Sequence, residues 1–161
     1  MLVTVTVPAS TSNLGPGYDS LGMALSLKAK FTFEPADTLV IEGGPEAYRN
    51  ADNLVMQGFR TVCEKAGRPV PAVRLVIDSE VPVARGLGSS STCIAGGMAA
   101  ANAMLGSPFT TDELFQLCTT FEGHPDNAAP AFFGGLRRAS CMRGRRLPCP
   151  SGPIPPGALR P

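Results

Sequence analysis

The alternation of apolar and polar positions divides the chain into short strands and amphipathic helices. Residues 2–7 alternate β-branched and apolar side chains and predict a strand. The next ten, PASTSNLGPG, are so dense in turn formers that a loop is expected. Polar and apolar positions alternate again over residues 28–33, a half-buried strand, and residues 38–41 are a short strand candidate. Over residues 53–66, Leu54, Val55, Phe59, Val62, Cys63 and Ala66 recur at helical spacing. Gly67 suits the left-handed position after the last turn.

Residues 72–77, AVRLVI, predict a strand, and a loop runs over residues 82–88. A helix rich in alanine and other small residues is expected over about residues 90–105. Thr110 with Glu113 three residues on makes a capping box for the next helix. Leu114, Phe115, Leu117, Cys118 and Phe121 supply its apolar face. EGHPDNAAPAFFGGL then reads as a loop leading into one more helix. Strands alternating with helices predict a mixed α/β or α+β domain.

Composition places this pattern in an ordinary globular class. The chain has 161 residues, 43% hydrophobic and 17% charged, enough for a real core. The opening MLVTVTVPAS has neither a basic segment nor a continuous apolar run, so no signal peptide is expected. No apolar stretch is long enough for a membrane span. Cys63, Cys93, Cys118, Cys141 and Cys149 are odd in number and lack CxxC spacing, which predicts free thiols in a reducing cytosol. With one histidine, a structural zinc site is not expected.

Charge changes the picture near the end. The 14 basic residues divide into eight before Arg137 and six from there on, while all 13 acidic residues precede it. The body therefore carries −5 and residues 137–161 carry +6, despite a net charge of +1. This segment, RRASCMRGRRLPCPSGPIPPGALRP, has six prolines and no apolar period. It is expected to be an aberrant, frameshifted tail of a GC-rich gene, with a basic interaction tail as the alternative. Either way disorder is expected there. The −5 body argues against a nucleic-acid partner.

Three clusters carry the candidate chemistry. In VARGLGSSST, Gly86 and Gly88 let the backbone approach a ligand closely. Serine hydroxyls follow, and the next helix aims its free amides and positive dipole end back at the loop, which makes an anion site. It is not a Walker loop, because no lysine follows Lys65, and it lacks the third glycine of the dinucleotide fingerprint. A serine-capped strand-to-helix turn is the plain alternative. PASTSNLGPGYDSLG gathers Ser, Thr, Asn and Asp around Gly15 and Gly17. EGHPDNAAP sets two acids, the histidine and an amide within six residues.

Together, in this order and spacing, the clusters resemble the homoserine kinases of the GHMP superfamily, over residues 1–136. PASTSNLGPGYDSLG resembles that family's substrate loop, PVARGLGSSS its nucleotide loop, and HPDN with the downstream AP and FGG points to homoserine kinases among its branches. The resemblance implies an α+β, two-layer, ribosomal-protein-like N-terminal domain: a mostly antiparallel sheet with helices on one face. It implies that Pro82, Val83, Ala84, Arg85, Gly86, Leu87, Gly88, Ser89, Ser90, Ser91 and Thr92 wrap the phosphates of ATP, with Asn53 near the adenine. Ser90 and Glu122 would face Mg²⁺ as hard oxygen ligands. Asn13, Asp19, His124 and Asn127 would contact L-homoserine. Phosphoryl transfer asks mainly for positioning and charge neutralisation, so no strong base is required; Glu122, Asp19 and, as an alternative base, Asp126 are the catalytic candidates. The implied partners are small molecules, ATP and homoserine, in the cytoplasm, with a homodimer for the full-length protein and no membrane.

The chain departs from the pattern in two ways. Ser91 and Thr92 replace an alanine pair. A second domain with substrate arginines and a third glycine-rich motif should follow FGGL, and neither is present in the 161 residues. The chain alone is therefore expected to be weakly active or inactive. Competing readings are a sibling kinase for another small alcohol and a nucleotide-binding fragment without transfer. Each site residue also has a plain reading: Asn13 and Asp19 as turn formers, His124 as a helix-start residue, and Glu122 and Arg85 as solvated side chains.

Overall fold

The first strand is longer than its alternation predicts. The computed structural model describes residues 1–139, and in it β1 (Val3–Ser12) pairs antiparallel with β2 (Leu21–Pro35). Residues 8–12, expected as loop, continue β1. The sheet tolerates Pro8 because β1 is an edge strand, and the register shifts between Pro8 and Ser10 as in a β-bulge. The expected loop is confined to residues 13–20.

After β3 (Val40–Gly43) comes a single 3-10 turn (Glu46–Tyr48), then α1 (Leu54–Lys65) and β4 (Val73–Ser79). The chain continues through α2 (Ser89–Met104), α3 (Thr111–Glu122), α4 (Ala128–Phe133) and β5 (Leu136–Arg138). The sheet order is β1-β2-β4-β3, with β5 pairing the start of β2. All pairs are antiparallel except β3 with β4. Within the segment expected as tail, Arg137 and Arg138 lie in β5 and Ala139 is buried. The remainder of that segment lies outside the described residues.

Period-two alternation gives the sheet two unlike faces. Val3, Phe33, Leu75 and Ile41 stand in register across the strands, as do Val5, Phe31 and Ile77, and most are buried. On the other face, Arg74 reaches Glu34 at 2.9 Å and Glu42 at 2.8 Å. The helices cover the apolar face. Phe59 of α1 stacks on Phe33 with centroids 5.2 Å apart. α2 packs against β1, β2 and all three other helices and is buried almost all round, with Ile94, Ala95, Met98, Ala100 and Ala101 in the core. Its small residues permit this: a Cβ on Gly97 would lie 1.8 Å from the Val55 carbonyl oxygen, and one on Gly58 2.4 Å from that of Ile94. The result is the two-layer α+β arrangement that the resemblance implies.

The caps follow the sequence closely. Asn53 caps α1, its Oδ1 accepting from Val55 N at 2.9 Å. Thr110 and Glu113 form the capping box of α3, and Gly67 is left-handed as expected. Phe121 departs from expectation: it is 41% exposed at the end of α3 rather than in the core. Among the described residues, no helix is long and apolar enough to cross a membrane, and Cys63, Cys93 and Cys118 are free thiols.

Candidate active site

The loop between β4 and α2 adopts left-handed backbone at residues 84, 86 and 88 (φ 57°, 71° and 65°), which winds it tightly over the start of α2. Gly88 is the N-cap of α2, with no side chain capping the helix and no acid in its first turn. The amides of that turn are left for a ligand, at the positive end of the helix dipole. Gly88 is close-fitting: a Cβ there would lie 2.1 Å from Ser10 Oγ.

This loop forms one wall of a cavity of about 990 Å³. Residues 82–91 line it, Pro82 and Val83 included, with Asn53, Glu122, His124 and Asn127. The fold thus brings two of the three sequence clusters to one place. Thr92 is buried behind the loop, its hydroxyl donating to the carbonyls of Gly88 at 2.9 Å and Pro8 at 3.2 Å.

Glu122 accepts a hydrogen bond from the hydroxyl of Ser91, not of Ser90. Ser91, the third residue of α2, is buried, whereas Ser90 is exposed on the cavity wall. His124 and Asn127 are fixed from behind. Asp126 is 2% exposed, and its Oδ1 accepts from His124 Nδ1 at 2.8 Å and from Asn127 N at 2.8 Å. This contact engages Nδ1 of the histidine and leaves Nε2 outside the pair. Asp126 does not line the cavity; its carboxylate holds its neighbours in place. Asn127 is held at both ends of its amide: Ser10 Oγ donates to Oδ1 at 2.9 Å, and Nδ2 donates to Ser12 Oγ at 3.0 Å.

Asn13 and Asp19 lie on the exposed loop of residues 13–20 and do not line the cavity. Both are left-handed (φ 59° and 49°), and Asn13 Oδ1 accepts from Asp19 N at 2.9 Å, closing the loop on itself. Asn53 reaches the cavity wall, yet its amide is engaged on both sides, capping α1 and donating to the Tyr48 carbonyl at 2.7 Å.

Part of the lining was not read from the sequence. Gly43, Gly44, Pro45, Tyr48, Leu54, Ile77 and Phe121 also line the cavity. Tyr48, 52% exposed, and Phe121 give it large apolar surface that the core leaves unused. Arg49 pins this wall, donating to the carbonyls of Gly43 at 3.1 Å and Gly44 at 3.0 Å. The only prior signal was the Gly-Gly-Pro turn. Cys93 also lines the cavity; burial pushes its thiol up to about 11, the Glu122 charge adding to the effect and a hydrogen bond with Ser89 opposing it.

The oxygen chemistry at this wall fits Mg²⁺, which takes one or two carboxylates together with phosphate oxygens. Among the described residues no group of three His, Cys, Asp or Glu could hold a metal. Glu122 and the first-turn hydroxyls would thus hold Mg²⁺ together with a nucleotide rather than alone.

Comparison with known proteins places this geometry. Residues 53–135 match the family model of the GHMP kinases N-terminal domain. A homoserine kinase of Synechococcus sp. is 49% identical over 146 residues, covering 87% of this chain and 48% of the relative. One from Moorella thermoacetica is 44% identical over 159 residues, covering 96% of this chain and 53% of the relative. A solved structure from Listeria monocytogenes, described as a homoserine kinase, superimposes with a TM-score of 0.79 at 34% identity, over 89% of this chain and 51% of that one. The chain spans about half the length of the curated relatives it matches. The family model covers residues 53–135, about half of the sequence, and by that match the chain belongs to the GHMP kinases.

Proposed function

We propose that the chain is the nucleotide-binding half of a homoserine kinase, transferring the γ-phosphate of ATP to the hydroxyl of L-homoserine. The product, O-phospho-L-homoserine, would serve threonine biosynthesis in the cytoplasm, and the full-length protein would form a homodimer. One observation carries the reading: the uncapped start of α2 and the Glu122, His124 and Asn127 side chains face a single cavity. The identities of 42–49% to homoserine kinases support it.

In this reading the backbone of residues 84–91 binds the phosphates, and the apolar wall at Tyr48 and Phe121 takes the base. Mg²⁺, when bound by Glu122 and the serine hydroxyls, neutralises charge on the β- and γ-phosphates. Asn127 offers its remaining N–H, and His124 its Nε2, to the acceptor. Asn13 and Asp19 reach homoserine from the loop of residues 13–20, so that loop would close over the cavity when the acceptor binds. Catalysis here is positioning and charge neutralisation, without a dedicated strong base.

The test is homoserine-dependent ADP release in a coupled assay, run against a panel of other small alcohols. Among the alcohols, release is expected with homoserine only, and from these 161 residues by themselves it is expected to be weak or absent. Equal rates with another alcohol would move the reading to a sibling kinase. The half-length match favours one further reading, a nucleotide-binding fragment; ATP binding in calorimetry without any turnover would establish it.

A further inference from the structure

Ser10 touches all three clusters at once. It is fully buried in β1, immediately after the bulge. Its backbone N–H donates to the Leu87 carbonyl at 3.1 Å, tying β1 to the nucleotide loop. Its hydroxyl donates to Asn127 Oδ1 at 2.9 Å, and Ser10 Oγ is the atom a Cβ on Gly88 would strike. On the other side of the amide, Ser12 Oγ accepts from Asn127 Nδ2 at 3.0 Å.

An asparagine amide has two donors and one two-lone-pair acceptor, and its ends are nearly the same size. Packing alone does not choose between the two amide orientations. The Ser10 O–H does choose: with the amide reversed its oxygen would accept from Nδ2, but its own hydrogen would lose the Oδ1 acceptor in a fully buried place, which is costly. With Oδ1 committed to Ser10 and one N–H to Ser12, a single N–H is left for the cavity that Asn127 lines.

We propose that Ser10 is a positioning residue: its hydroxyl sets which end of the Asn127 amide faces the acceptor, and its backbone N–H locks that choice to the nucleotide loop. The inference rests on reading the cavity as a phosphotransfer site. The register of the donor loop and the polarity of the acceptor contact are then set by one residue of β1. This role passes through Asn127 and so differs from direct contact with substrate.

The experiment compares the 161-residue chain with Ser10→Ala, Asn127→Ala and the double variant, by side-chain amide NMR and by turnover. In Ser10→Ala the two Asn127 side-chain N–H signals are expected to shift and to exchange faster with water, with the rest of the amide spectrum retained. Turnover is expected to fall roughly tenfold with the KM for ATP little changed, and the loss is expected to vanish in the Asn127→Ala background, as for residues acting through one another. Unmoved Asn127 signals in Ser10→Ala, or an equal loss of turnover with and without Asn127, would overturn the proposal. If Ser10→Ala does not fold, Ser12→Ala supplies the second arm: it removes the partner of Nδ2 and is expected to shift one of the two N–H signals while Oδ1 stays with Ser10; a spectrum in which neither moves overturns the proposal. The amide signals are read whether or not the parent chain turns over. A weakly active or inactive parent is what half a homoserine kinase is expected to give, so the signals decide the role of Ser10, and absence of ATP binding in calorimetry would count against the phosphotransfer reading.

Discussion

Gly97 and Gly86 stand on either side of the same helix start and are constrained by opposite things. Gly97 has ordinary helical backbone but no room, with the Val55 carbonyl where a Cβ would go. Gly86 has open space around it but a left-handed backbone, φ 71°. One glycine lets two helices touch; the other leaves the chain free to turn and keeps a cavity wall bare. α2 is thus anchored by close packing along its middle and exposed for binding at its first turn. Stability and ligand contact are separable along one helix, and substitutions can pull them apart.

The largest effect is expected at Gly97→Ala. The clash is with the α1 backbone at Val55 and Phe59, which cannot move aside cheaply, so unfolding free energy should fall by about 3 kcal/mol or more. Urea denaturation followed by far-UV circular dichroism measures this. A loss below about 1 kcal/mol would mean that the helices can separate, and the contrast with Gly86 would collapse.

Gly86→Ala should cost stability only about 1–2 kcal/mol, from the left-handed backbone alone. ATP affinity should fall further, roughly tenfold in calorimetry, because a methyl group enters the bare wall. Thr110→Ala probes a site remote from the cavity. Loss of the α3 cap should cost about 1 kcal/mol and leave ATP affinity unchanged. The same cap has a pH signature. The backbone N–H of Thr110, with its hydroxyl, holds the Glu113 carboxyl below the ordinary range. Its stabilisation is present above the unfolded-state value and is lost as pH falls through the folded one. Glu113→Gln should therefore flatten the decline in melting temperature between about pH 5 and pH 3.

The last probe is chemical and leaves the fold unchanged. Cys93 lines the cavity, but burial keeps its thiol protonated up to about pH 11. Alkylation by iodoacetamide at pH 8 should run roughly a hundredfold slower than for free cysteine and speed up as pH rises. Peptide mapping after timed exposure gives the rate. Rapid labelling of Cys93 would show that this wall opens more than the packed part of α2 allows.

Much of the fold was legible because local signals agreed with global ones. The spacing in α1, the capping box of α3 and Gly67 each have a local cause. The strand content of residues 8–12 was not legible, since a turn-rich composition and a proline normally exclude strand. An edge position and a bulge lift that exclusion, and both depend on what β1 pairs with. Phe121 fits the apolar period of α3 but faces the cavity, because the period tells which face a residue is on and not where that face ends. The tight turn of residues 82–88 was readable from its glycines. That Ser91 rather than Ser90 meets Glu122 was not, because neighbouring serines differ only in which side of the helix they leave. The wall at residues 43–48 depends wholly on β3 lying parallel to β4, a long-range pairing with no local mark.

The burial of α2 carries one more consequence. Its dipole ends at the cavity while its body is clamped between β1 and three other helices. An anion arriving there meets an electric field that is already assembled, so little reorganisation energy is spent in orienting it. The field strength at the cavity is therefore a property of the hydrophobic core, and a change deep in the packing of α2 would be read at the cavity as a change in electrostatics.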